Sequence, residues 1–203
     1  MNEEQKNGPR LWLAAAIIAL VVTALAATVA QDLAHHGTTG YAISGVFMST
    51  ADVLLALGVL VFARSGLVRR GGWRDIARLL AIIGSGASVF AEILLRVDFH
   101  TGTAAFGIAG PAQALGFIGV GVAVIRESSW SGWRRYVFLA LGLYVPLVLV
   151  PLLAASGGQN LAALAGFHAL VLLVGLAWAR ELRPSVPDSL GALSPVGLPA
   201  GPA

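Results

Sequence analysis

The chain has 203 residues, of which 57% are hydrophobic and only 11% charged, and its mean hydropathy is +0.82. Water-soluble domains carry about 25% charged residues, so this composition excludes an ordinary soluble fold and points to a membrane protein with one modest domain. The chain has no cysteine, which rules out a disulfide framework, a thiolate metal site and a cysteine nucleophile; its net charge of +3 comes from arginines gathered at segment ends, a topology signal and not a nucleic-acid-binding face.

Taken in chain order, residues 1–10 are a short polar N-terminus. Six apolar segments follow at 11–30, 41–63, 76–97, 103–125, 136–155 and 160–179. Each is near the ~20 residues that cross a hydrocarbon core as a helix, and no period-two alternation suggests barrel strands. The expected fold is therefore an all-α membrane protein, a six-transmembrane-helix bundle over 11–181. The first segment, LWLAAAIIALVVTALAATVA, is too long for the apolar region of a signal peptide and reads as an uncleaved helix. Residues 182–203 hold five of the nine prolines and no aromatic residue, and read as a disordered tail.

Twelve of the thirteen basic residues fall before segment 1, around the second and fourth connections, or after segment 6; Arg96 alone falls on the opposite side. That asymmetry places both termini in the cytoplasm. The great excess of arginine over lysine suggests a GC-rich bacterial source, hence a multi-pass protein of the bacterial inner membrane. GGWRD and SGWRR, around Trp73 and Trp133, form a weak internal echo. It relates the hairpin of segments 2 and 3 to that of 4 and 5, or else reflects interfacial anchoring by Trp and Arg.

Depth carries the functional signal. Counted back from Arg64, Arg126 and Arg180, Asp52, Gln113 and His168 each lie 12 or 13 residues away, or ~18–20 Å. Glu92 lies 14 residues past Arg78, ~21 Å by the same rise. Thr23 falls at a similar depth in segment 1, and Tyr144 lies somewhat shallower in segment 5. A shared polar layer is expected, with Asp52 and Glu92 facing the bundle interior because a carboxylate in lipid costs about 2.5–3.5 kcal/mol. Each residue also has a structural reading. Glu92 can pair with Arg96 one turn later, Asp52 can act as interhelical glue with Ser49 and Thr50, and His168 can be a packing histidine. Pro111, Pro146 and Pro151 are expected to kink segments 4 and 5.

No metal site and no cofactor are expected. Asp32, His35, His36, Asp98 and His100 form an outer set without specific metal spacing, and haem would require a second buried histidine. Rhomboid, zincin and aspartate-rich magnesium motifs are missing, as is a retinal-binding lysine in the last segment.

Three readings remain open. In the first, the chain is an intramembrane enzyme in which Asp52 or Glu92 protonates a lipophilic, isoprenoid-like substrate, assisted by His168, leading to cyclisation or isomerisation. Gln113 and Tyr144 would then line the substrate site, and the ring faces of Phe90, Phe117, Phe167 and Tyr144 would stabilise a developing carbocation. The chemistry is analogous to that of small membrane-bound terpene cyclases, although no motif here identifies that family. The second reading is a proton-coupled transporter or channel with Asp52, Glu92 and His168 as relay. The third is a non-catalytic membrane partner or assembly protein whose arginine-rich loops bind anionic lipid. The inner halves of segments 2, 4 and 6 carry no ionisable residue, which favours a pocket closed on the arginine-rich side. A lipophilic small molecule and membrane lipids are the expected partners, and nucleic acid is not.

Overall fold

A computed structural model describes residues 3–28, 38–156 and 160–181. Those residues are all-helical, with no strand among them. The helices are α1 (Glu3–Thr28), α2 (Thr39–Arg64), α3 (Trp73–Val97), α4 (Phe99–Glu127), α5 (Gly132–Ala155) and α6 (Leu161–Glu181). Five of them, α2 to α6, contain spans long and apolar enough to cross a membrane; the apolar run described in α1, Pro9–Ala24, is shorter. The chain is thus a multi-pass, all-helical membrane protein. The outer histidines His35 and His36 with Asp32, and the proline-rich tail, lie outside the described residues.

Each helix packs on its neighbours in sequence, and α6 returns to α1, closing a ring. The tightest pair is α3 and α4. Residues 98–102, the break between the third and fourth apolar segments, are instead the cap and first turn of α4. Only Asp98 separates the two helices, and its carboxylate accepts from the Thr101 N–H at 3.0 Å and from the Thr101 hydroxyl. A short polar side chain that caps the second helix while ending the first allows this abrupt reversal. Beyond the turn, glycines bring the two backbones together: a Cβ on Gly84 would collide with the Gln113 backbone and one on Gly116 with Ala81. Small residues at such contacts allow the close packing that drives helix association in lipid.

The proline expectations divide. Pro111 sits inside an unbroken α4. In α5, Pro146 lies in a π turn, Val145–Leu149, and Pro151 opens the final α-helical stretch. A residue without an N–H relaxes the hydrogen-bond ladder, and α5 resolves this by widening its turn.

Toward the arginine-rich end, the ring is filled by aromatic side chains. Phe62 meets Phe138 at 4.5 Å and Trp178 at 5.3 Å; Trp12 meets Phe138 at 5.6 Å and Phe117 at 6.0 Å. With Trp130 they form a plug contributed by α1, α2, α4, α5 and α6 and by the turn before α5. Buried polar residues concentrate in the other half: Thr23, Ser44, Ser85, Ser88, Glu92, Gln113 and His168.

The Trp echo has a structural basis, with a different pairing from that expected. Gly72 and Gly132 both adopt positive φ, 57° and 60°, and each is followed by an exposed Trp and an arginine. Arg74 pairs with Glu127 at 2.7 Å and Arg134 with Glu181 at 3.2 Å. Each ion pair joins the start of one helix to the end of the next, so the related units are α3–α4 and α5–α6.

Candidate functional site

One face of α3 carries Ser85, Ser88 and Glu92, all buried, at the spacing that aligns side chains on a helix. The opposite face exposes Ile83, Phe90 and Val97. Glu92 is 6% exposed, and its Oε1 accepts from Arg96 Nε at 3.1 Å and from a second guanidinium nitrogen. The stem of Arg96 lies against α2 at Gly45, where a Cβ would stand 2.7 Å from Nε and 2.9 Å from Cδ. Asp52 stands seven residues, two turns, beyond Gly45 on α2. It is half-buried and interacts electrostatically with both Glu92 and Arg96. Glu92 therefore both pairs with Arg96 and faces the interior. Among the described residues the charged groups at this α2–α3 contact are Asp52, Glu92 and Arg96, two carboxyls and one guanidinium.

Comparison of the chain with protein-family models, curated proteins and solved structures finds no match in any of the three. The chemistry must be read from the residues.

The single polar layer does not form as expected. Gln113 sits opposite Gly84 and donates through Nε2 to Ser85 Oγ at 3.2 Å. That is eight residues from Glu92 along α3, or about 12 Å. The reference arginines are not level: the Arg126 guanidinium lies over the Trp73 ring, five residues before Arg78, which offsets the two counts by about 7 Å. Gln113 and Ser85 form a second polar contact, between α3 and α4.

The third polar group lies on α6. His168 is 6% exposed; its Nδ1 makes no well-formed hydrogen bond, and the Leu164 carbonyl one turn earlier faces the ring. Tyr144 donates its hydroxyl to the Ala163 carbonyl at 3.0 Å, tying α5 to α6. Thr23 donates back to Ala19 within α1, a structural arrangement.

The aromatic residues expected around a cation are dispersed. Phe90 is 70% exposed on the outer face of α3, because it stands two residues from buried Glu92 and a helix turns such positions apart. Phe117 belongs to the aromatic plug, and Phe167 packs edge-on to His168 at 5.5 Å. Among the described residues no three His, Asp or Glu side chains converge as metal ligands; Asp98 is engaged as a helix cap. Ser85 and Ser88 were not singled out from sequence, although their spacing from Glu92 at i−7 and i−4 marks the same helix face.

Proposed function

We propose that the chain is an integral membrane enzyme that protonates a lipophilic substrate within the bilayer, with Asp52 as the acid. The observation that carries this reading is the charge count at the α2–α3 contact. Arg96 donates twice to Glu92, and among the described residues no second cation stands beside Asp52. In a medium where an uncompensated carboxylate is expensive, the favoured state of two carboxyls and one guanidinium is neutral, with one proton retained on Asp52. A carboxylic acid held protonated in apolar surroundings is suited to donating to an alkene or epoxide. Cyclisation or isomerisation of an isoprenoid-like molecule is the reaction class this supports.

In this reading Glu92 and Arg96 are positioning residues, fixing the charge balance that keeps Asp52 neutral. The polar strip Ser85, Ser88 and Gln113 borders the substrate, while Phe90 faces lipid and takes no part. The finer topology belongs to the same proposal: six spans with α1 crossing, both termini cytoplasmic, in the inner membrane of a bacterium. The aromatic plug weighs against the transport reading, since a relay from Asp52 toward the arginine-rich side would have to pass packed rings, and the buried ionisable side chain described at that end, Arg78, is already paired with Asp75.

The test is turnover of polyprenyl-type substrates in membranes. Asp52→Asn removes the acid, and Glu92→Gln releases Arg96 to ionise Asp52, so both variants are expected to lose activity while folding normally. Full activity in Asp52→Asn would end the proposal, and proton flux in proteoliposomes abolished by the same substitution would put transport in its place.

A further inference from the structure

The turn that leads into α3 is fastened to the end of α4 by one carboxylate. Glu127 pairs with Arg74 at 2.7 Å and accepts the Arg69 backbone N–H at 2.9 Å. Glu181 repeats the arrangement at the end of α6, pairing with Arg134 at 3.2 Å and accepting the Ser131 N–H at 3.1 Å. Within the turn before α3, Asp75 accepts the Gly71 N–H at 2.7 Å and pairs with Arg78 at 2.9 Å. The carboxylates described at the arginine-rich end are thus all engaged by groups of the bundle itself.

The neighbouring arginines are left over. Arg69, Arg70 and Arg126 are exposed, and none of them takes part in the ion pairs found among the described residues. Arg126 stands instead over the ring of Trp73, 5.8 Å from its centroid, and Arg74 lies at 5.5 Å from the same ring. The Glu127 contact to the Arg69 N–H holds the backbone of Arg69 and Arg70 beside this end of α4. Three guanidinium groups without a carboxylate therefore belong to one corner of the bundle, around an indole that is 40% exposed.

The surface that adjoins this corner along α3 is apolar. Ile76 and Ile83 follow Trp73 at the spacing of one helix face and are 61% and 53% exposed. Tryptophan favours the boundary between head groups and acyl chains, so the corner has the profile of an amphiphile's partner: cations on the water side, a ring at the boundary, and an aliphatic strip in the hydrocarbon. A soluble anion would leave the strip unused. A phospholipid with a negatively charged head group matches both parts, and clustered arginines at a membrane surface attract such lipids.

We propose that this corner of α3 and α4 binds an anionic phospholipid of the adjoining leaflet, with the head-group phosphate held by Arg126, Arg69 and Arg70 and an acyl chain lying along Ile76 and Ile83. The Glu127 contacts give the site its shape, because they fix the turn and at the same time keep that carboxylate away from Arg126. The site is separate from Asp52 and does not depend on the reaction assigned to it.

The test counts lipids bound to the full-length protein in detergent micelles by native mass spectrometry, using phosphatidylglycerol and phosphatidylcholine with the same acyl chains. Phosphatidylglycerol is expected to bind more tightly. Arg126→Gln should weaken it about fivefold, the effect of one arginine at a membrane surface, and Arg69→Gln combined with Arg70→Gln at least as much. Trp73→Ala alters no charge and should still weaken binding about threefold, with Trp73→Phe restoring most of the loss. Arg180→Gln removes the same charge from the end of α6, which does not pack closely on α3, and should leave binding unchanged. Equal binding of the two lipids, an equal loss in Arg180→Gln, or full binding in Trp73→Ala would overturn the proposal, the last two by showing a diffuse positive surface in place of a built site. Complete competition by glycerol phosphate at the concentration of the lipid would also overturn it, since the site would then be one for a soluble phosphate.

Discussion

Replacing Arg96 by leucine removes the guanidinium paired with Glu92 and leaves Glu92 buried. The side chains of Glu92 and Arg96 are 8% and 20% exposed. Breaking a buried ion pair from one side costs about 3–5 kcal/mol. The partial exposure of Arg96 puts the expected loss near the lower end, about 3 kcal/mol, or roughly a hundredfold in the folding equilibrium. Removing both partners leaves no orphan charge, so Glu92→Gln combined with Arg96→Leu should recover most of that loss. Reversible unfolding in mixed micelles, followed by far-ultraviolet circular dichroism, measures all three proteins. Arg96→Leu within about 1 kcal/mol of wild type, the range of an exposed ion pair, would refute the reasoning. So would a double variant as unstable as the single one.

Three further outcomes follow from the packing. Gly116→Val would force apart α3 and α4 at Ala81; overpacking costs about 1–3 kcal/mol and more where backbone must move, so strongly reduced thermal stability in detergent is expected, checked against Gly107→Val, which meets open space. Tyr144→Phe removes the α5–α6 hydrogen bond and should lower stability by about 1 kcal/mol and increase deuterium exchange in 145–155 specifically. Asp98 is held below the ordinary carboxylate range by the hydrogen bonds from Thr101. Because its folded value is depressed, its contribution is complete above the unfolded value and is lost as pH falls through the folded one; acid melts of wild type and Asp98→Asn should converge at low pH and diverge toward neutrality.

Apolar segments were legible from the sequence because a bilayer demands long uninterrupted runs: five of the six fall on α2 to α6, each long and apolar enough to cross, and the first falls on α1, whose described apolar run is shorter. Their ends were less so. Asp98 is polar like a loop residue, yet it serves as the cap of the very next helix, and only the hairpin geometry shows this. Depth counting failed for Gln113 because it assumed that Arg78 and Arg126 lie at one level, whereas Arg126 stacks beyond Trp73. Glu92 and Arg96 were recognisable as a pair from their four-residue spacing. That Asp52 shares their charge depends on the α2–α3 register, which Gly45 sets by admitting the arginine stem. The widened turn of α5 had a trace in Pro146 and Pro151, but Pro111 shows that proline alone does not decide where a helix yields.

The protonation of Asp52 can be observed directly by infrared difference spectroscopy of the protein in lipid at neutral pH. One protonated carboxylic acid should give a carbonyl stretch in the wild type. That band should vanish in Asp52→Asn and in Glu92→Gln, where a single carboxyl faces a single guanidinium, and should grow in Arg96→Gln, where two carboxyls face none. A wild-type spectrum without the band, or a band untouched by Asp52→Asn, would contradict a neutral aspartic acid as the chemical centre of the protein.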